Sequence, residues 1–98
     1  MQQYYECHIT VIEDKPRTLI QQLIEDSKWK FSAIDGDPVL GKKVYCYATK
    51  HYKEALGSEY VVNDLLAVEK SYKDQGLNVS RSKVELVVFD TKQNSYKE

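Results

Sequence analysis

The stretch Tyr4-Tyr5-Glu6-Cys7-His8-Ile9-Thr10-Val11-Ile12 decides the fold of this chain. Tyr5, Cys7, Ile9 and Val11 alternate with Tyr4, Glu6, His8 and Thr10, a period of two that sends successive side chains to opposite faces of a strand. One set is apolar and the other mixed, so the strand is half-buried and belongs to a sheet with one covered and one open face. Directly after it, Glu13-Asp14-Lys15-Pro16 places acidic residues and a proline where a helix begins. Leu19, Ile20, Leu23 and Ile24 then recur at helical spacing to about Ser27.

Working outward, residues 29–34 (WKFSAI) form a short aromatic strand that runs into the turn formers Asp35-Gly36-Asp37-Pro38. Residues 43–49 (KVYCYAT) alternate Val44, Cys46 and Ala48 with Tyr45, Tyr47 and Thr49, which predicts a third strand. Residues 51–57 carry no clear pattern. Ser58 reads as the N-cap of a second helix bearing Val61, Val62, Leu65, Leu66, Val68 and Tyr72, and Gly76 stands where a left-handed residue ends it. Residues 79–89 (VSRSKVELVVF) predict a last strand, with Ser82, Val84, Leu86 and Val88 on one side and Arg81, Lys83, Glu85 and Val87 on the other.

The order strand, helix, strand, strand, helix, strand is the split βαβ pattern, so the expected class is α+β with a ferredoxin-like βαββαβ topology. Right-handed crossovers put both helices on one face of a four-stranded antiparallel sheet, with the first and third strands at its centre. The expected domain is single and spans residues 1–98, with a frayed tail over 92–98.

Composition narrows the function. The 98 residues are 42% apolar and 30% charged, enough for one core. Lys and Arg total 14 against 15 Asp and Glu, so the formal net charge of −1 excludes a general polyanion-binding surface and makes any phosphate contact local. No run nears the roughly 18 apolar residues of a membrane span, and Met1-Gln2-Gln3 lacks the basic-then-apolar order of a secretion signal, so a cytoplasmic protein without membrane contact is expected. Cys7 and Cys46 have no CxxC spacing and no nearby His pair, so buried free thiols are expected, with no metal and no cofactor. Eight tyrosines against two Phe and one Trp suit a half-exposed docking surface, since Tyr carries a polar tip on an apolar body.

Alternation assigns Cys7, Ile9, Val11, Val44, Cys46, Ala48, Val84, Leu86 and Val88 to the core. Glu6, His8, Thr10, Tyr45, Tyr47, Thr49, Arg81, Lys83 and Glu85 fall on the open face, and centred registers set Lys83 on one side of His8 and Tyr45 on the other. His8 and Thr10 point the same way, so an imidazole that exchanges a proton stands beside a hydroxyl suited to a phosphoryl oxygen. The run Cys7-His8-Ile9-Thr10-Val11 resembles the HxT motif of the two-histidine phosphoesterases. That resemblance implies action on cyclic or 2′-5′ phosphodiesters, with His8 and Thr10 as the catalytic pair. The family uses two such motifs related by a pseudo-twofold axis; this chain has one, and Thr49-Lys50-His51 runs in the reverse order. A symmetric homodimer would bring two His8-Thr10 pairs together.

The run Lys43-Val44-Tyr45-Cys46-Tyr47-Ala48 resembles the basic-aromatic-small-aromatic core of RNA-recognition-motif domains, with Val44 where glycine is usual. It implies single-stranded RNA stacked on Tyr45 and Tyr47. Arg81 and Lys83 can each meet an anion, while Glu6 and Glu85 can neutralise them across strands. The segment 35–43 reads as turn chemistry that leaves Lys42 and Lys43 at the rim, because its two Asp make no EF-hand and Gly41-Lys42-Lys43 has no Walker spacing. No nucleophile elbow and no GxGxxG occurs. The expected function is therefore binding of a phosphate-bearing or nucleotide-like ligand by Tyr45, Tyr47, Thr49, Arg81 and Lys83, with phosphodiesterase chemistry at His8 and Thr10. The alternatives are an RNA-binding module and a protein-interaction or homodimerisation module without catalysis.

Overall fold

A computed structural model describes residues 3–34 and 44–91. The elements are β1 (Tyr4–Ile12), α1 (Arg17–Asp26), β2 (Lys30–Ile34), β3 (Tyr45–Lys53), a 3-10 turn (Glu54–Leu56), α2 (Ser58–Asp74) and β4 (Asn78–Val87). They form an α+β unit in which the four strands make one sheet of order β2-β3-β1-β4, every neighbouring pair antiparallel. The expected turn over 35–38, the rim lysines Lys42 and Lys43 and the tail over 92–98 lie outside the described residues.

One cluster holds the buried apolar side chains. Cys7, Ile9 and Val11 of β1 and Cys46, Ala48 and Tyr52 of β3 meet Ile20 and Ile24 of α1 and Val61, Leu65 and Tyr72 of α2, with Trp29 and Leu77 closing its ends. Both helices thus cover the same side of β1 and β3, because each has a single apolar stripe to bury. Tyr72 carries its hydroxyl inward and satisfies it on the Ser27 hydroxyl at 2.6 Å, tying the end of α2 to the end of α1.

The β1–β4 register sets Lys83 beside His8 as expected, and the β1–β3 register differs from the expected one. β3 continues to Lys53, and Tyr5 faces Tyr52, so His8 faces Thr49 on one side and Lys83 on the other, while Tyr45 sits opposite Ile12. The longer pairing buries Tyr52 in line with Ala48 and Cys46, and that gain sets the alignment. Residues 51–57 accordingly become the end of β3, the 3-10 turn and Gly57. Gly57 is the residue before α2, at φ 85°, and no side chain caps the helix; Ser58 is its first helical residue instead of its cap. Gly76 does adopt the left-handed conformation, at φ 90°.

Two residues placed in the core by alternation stand outside it: Leu86 is 46% and Val88 60% exposed. Val44 and Val84 are half-buried. β4 is an edge strand with β1 as its one neighbour among the described residues, and it ends at Val87, so its last residues lack a second strand beside them.

Cys7 and Cys46 are free and fully buried, and removal from water pushes both thiols up to about 11. The folded state keeps them neutral while the unfolded chain ionises near 9, so stability present below pH 9 is lost as pH rises between the two values. Native protein at pH 8 is expected to leave both thiols unreacted with a disulfide reagent and to release both on denaturation; fast reaction of the folded chain would contradict their burial.

Candidate functional site

The face of the sheet away from the helices is laid out in rows. Lys30, Thr49, His8 and Lys83 form one row across β2, β3, β1 and β4; Ser32, Tyr47, Thr10 and Arg81 form the next; Ile34, Tyr45 and Ile12 follow. In the opposite direction His51, Glu6 and Glu85 make a row, then Lys53, Tyr4 and Val87. The pairing of β1 with β4 shifts between Thr10 and Val11, because Thr10 faces Arg81 while Val11 faces Val79. Ser80 is the extra residue of this bulge, which re-aims the strand at the margin of the face.

A shallow depression of about 720 Å³ opens between these rows. Every site residue expected from the sequence lines it: His8, Thr10, Tyr45, Tyr47, Thr49, Arg81 and Lys83. Ser32, Ile34 and Ser80 line it as well and were not singled out from the sequence. Ser32 and Ile34 share parity with Lys30 on β2, a signal available in a strand of five residues; the bulge that brings in Ser80 leaves no such trace.

Among the described residues, the carboxylates of the face lie outside this depression. Glu6 is engaged by both histidines: His8 Nε2 makes a close contact with Oε1, and His51 Nε2 lies 3.1 Å from Oε2. Lys83 Nζ lies 2.9 Å from Glu85 Oε1. Hydrogen bonding and charge from Lys83 hold the Glu85 carboxyl below its ordinary value, and His8 and Arg81 add smaller contributions of the same sign. The like-charged cross-strand neighbours Glu6 and Glu85 are therefore each matched by cationic or proton-donating groups.

His8 is held at both nitrogens. Its Nδ1 lies 3.1 Å from Thr49 Oγ1 while Nε2 faces Glu6, so in the neutral form Nε2 donates to the carboxylate and Nδ1 accepts from the threonine hydroxyl. The hydroxyl that His8 touches is thus Thr49, across the strand pair, and not Thr10 on its own strand. A ligand must displace one of these partners to exchange a proton with the ring. Glu6, His8 and Glu85 bring one donor atom each within 4.8 Å of one another, which is the grouping among the described residues that has the atom types for a metal ion. Its charges are already answered by Lys83 and His51.

Tyr4 closes the acidic end. Its hydroxyl donates to Asp90 Oδ2 at 2.6 Å, its ring lies 4.8 Å from that of His51, and the bond to Asp90 pushes the phenol up to about 12. No helix among the described residues is long and apolar enough to cross a membrane.

No family model matches the chain, and no curated protein does. Among solved structures, the de novo designed protein Foldit4 superposes with a TM-score of 0.48 at 15% identity, covering 92% of this chain and 100% of that one.

Proposed function

We propose that this chain is a ferredoxin-like domain that binds a phosphate-bearing, nucleotide-like ligand on the open face of its sheet. The strand order β2-β3-β1-β4 together with the element order supports the fold assignment. The observation that carries the ligand is the lining of the depression: Arg81, Lys83, His8 and the hydroxyls of Thr10, Ser32, Thr49 and Ser80, with no carboxylate among the described residues that line it. Arg81 and Lys83 bring positive charge and the hydroxyls of Thr10, Ser32 and Ser80 bring donors to phosphoryl oxygens. Tyr45 and Tyr47 offer flat rings beside the cations, where a base can stack.

Phosphodiesterase chemistry at His8 would first require the ring to exchange a protein partner for the ligand. A phosphodiesterase step needs an imidazole free to give or take a proton at the ligand, and both nitrogens of His8 face protein groups. His51, the other histidine of the face, is turned toward Glu6 at the far side of the depression.

Calorimetric titration at low salt with adenosine, inorganic phosphate, adenosine monophosphate and a short single-stranded RNA tests the proposal. The monophosphate or the RNA is expected to bind, adenosine to bind at least about tenfold more weakly, and affinity to fall as salt rises. Adenosine binding as tightly as its monophosphate, or no binding at millimolar ligand, would remove it.

A further inference from the structure

Among the described residues β4 borders the sheet, with β1 as its one neighbouring strand, and it runs regularly from Arg81 to Val87 beyond the bulge at Ser80. Such an edge presents a row of backbone donors and acceptors ready to pair with another strand. Its margin is also unusually apolar. Leu86, Val88 and Phe89 are 46%, 60% and 68% exposed, and Val62 and Leu66 on α2 are 39% and 51% exposed.

These side chains share one border because α2 and β4 run in opposite directions from the turn that joins them. The Ser82 hydroxyl donates to Glu69 and fixes their alignment. From that point Val84 lies about 7 Å along the strand and Leu86 about 13 Å, while Leu66 and Val62 lie about 5 and 10 Å back along the helix. Leu66 therefore flanks Val84, and Val62 flanks Leu86. On the opposite side of the strand stand Arg81, Lys83 and Glu85.

We infer that β4 pairs antiparallel with β4 of a second copy of this chain about a twofold axis at Val84. In that register Val84 faces its own counterpart, Lys83 faces Glu85 of the second copy, and Glu85 faces Lys83, so two opposite-charge pairs form on the open side. On the covered side Leu86 of each chain faces Ser82 of the other, and the Leu66 and Val62 strips approach across the seam. The neighbouring register, centred on Lys83, also forms two Arg81–Glu85 pairs but sets Lys83 against itself, and that like-charge pair disfavours it. The absence of a like-charge contact favours the Val84-centred alignment, and the sheet continues across the seam with both open faces on one side.

Sedimentation velocity of the full chain over a range of concentrations tests this, with circular dichroism verifying that each variant folds. The parent is expected to show a monomer–dimer equilibrium. Lys83→Glu and Glu85→Lys are each expected to weaken it by about tenfold, and the double exchange, which recreates both pairs with their signs reversed, to restore it to within a fewfold. Val84→Cys, made together with Cys7→Ser because Cys7 is its cross-strand neighbour, is expected to form an inter-chain disulfide on mild oxidation, since the twofold axis brings that position against itself. A parent that stays monomeric at millimolar concentration, a folded double variant no better than the single ones, or a dimer indifferent to all these changes would overturn the inference.

Discussion

Replacing Tyr72 by alanine is expected to cost about 3–5 kcal/mol, a large part of the roughly 5–15 kcal/mol that holds a domain of this size together. Tyr72 is the largest fully buried side chain among the described residues, and it packs where α2 meets α1 over the sheet. Ser27 donates its own proton to the Ile24 carbonyl at 2.5 Å, so Tyr72 is the donor in the 2.6 Å pair between their hydroxyls. Removal of the ring leaves a cavity that close-packed neighbours only partly fill, and Ser27 loses a partner. Tyr72→Phe keeps the ring and is expected to cost about 1 kcal/mol. Urea denaturation measures both: an alanine variant within about 1 kcal/mol of the parent would mean that the contact between the helix ends contributes little.

At the site, Arg81→Ala is expected to weaken binding of a nucleoside monophosphate about 10- to 100-fold, the effect of deleting a charged hydrogen-bond donor to phosphate. Arg81 is exposed, belongs to a lining without carboxylates among the described residues, and faces Thr10 across the strands. Lys83→Ala is expected to cost less, since its ammonium is already shared with Glu85. Tyr47→Ala removes a stacking ring worth about 1–3 kcal/mol and is expected to weaken the monophosphate while leaving inorganic phosphate unchanged. Calorimetry on the folded variants reads all three. Equal affinity of parent and Arg81→Ala for the monophosphate would place the phosphate elsewhere.

Much of the site was legible because parity along a strand survives without knowledge of its neighbours. His8 and Thr10, Tyr45 to Thr49, and Arg81 with Lys83 each share a side in the sequence, and the depression gathers them. Which residues touch depends on register, and that was hidden by the polar segment Lys50-His51-Tyr52-Lys53. Lys50 occupies a core-side position there and holds its ammonium 4.8 Å from the centre of the Tyr52 ring, while Tyr52 itself donates to Asp64. A lysine and a phenol carrying their own partners into the margin of the core erase the alternation that would extend β3.

The other departures have equally local causes. Leu86 and Val88 follow the apolar period faithfully, but the period reports the face of a strand and not its place at the edge of the sheet. Ser80 entered the site through a bulge, and His51 reached Glu6 through the longer β3, neither of which the spacing of side chains reveals. Ser58 is a common capping type, but Gly57 already makes the turn into α2 with a backbone angle that a side chain would strain.

The central claim is that a phosphate-bearing ligand lies on the uncovered face of the sheet, and amide nuclear magnetic resonance during titration with adenosine monophosphate tests it most directly. Shifts are expected to concentrate at residues 8–10 of β1, 45–49 of β3 and 80–83 of β4, with α1 and α2 unmoved. Shifts confined to the helices, or a spectrum unchanged at millimolar ligand, would contradict it.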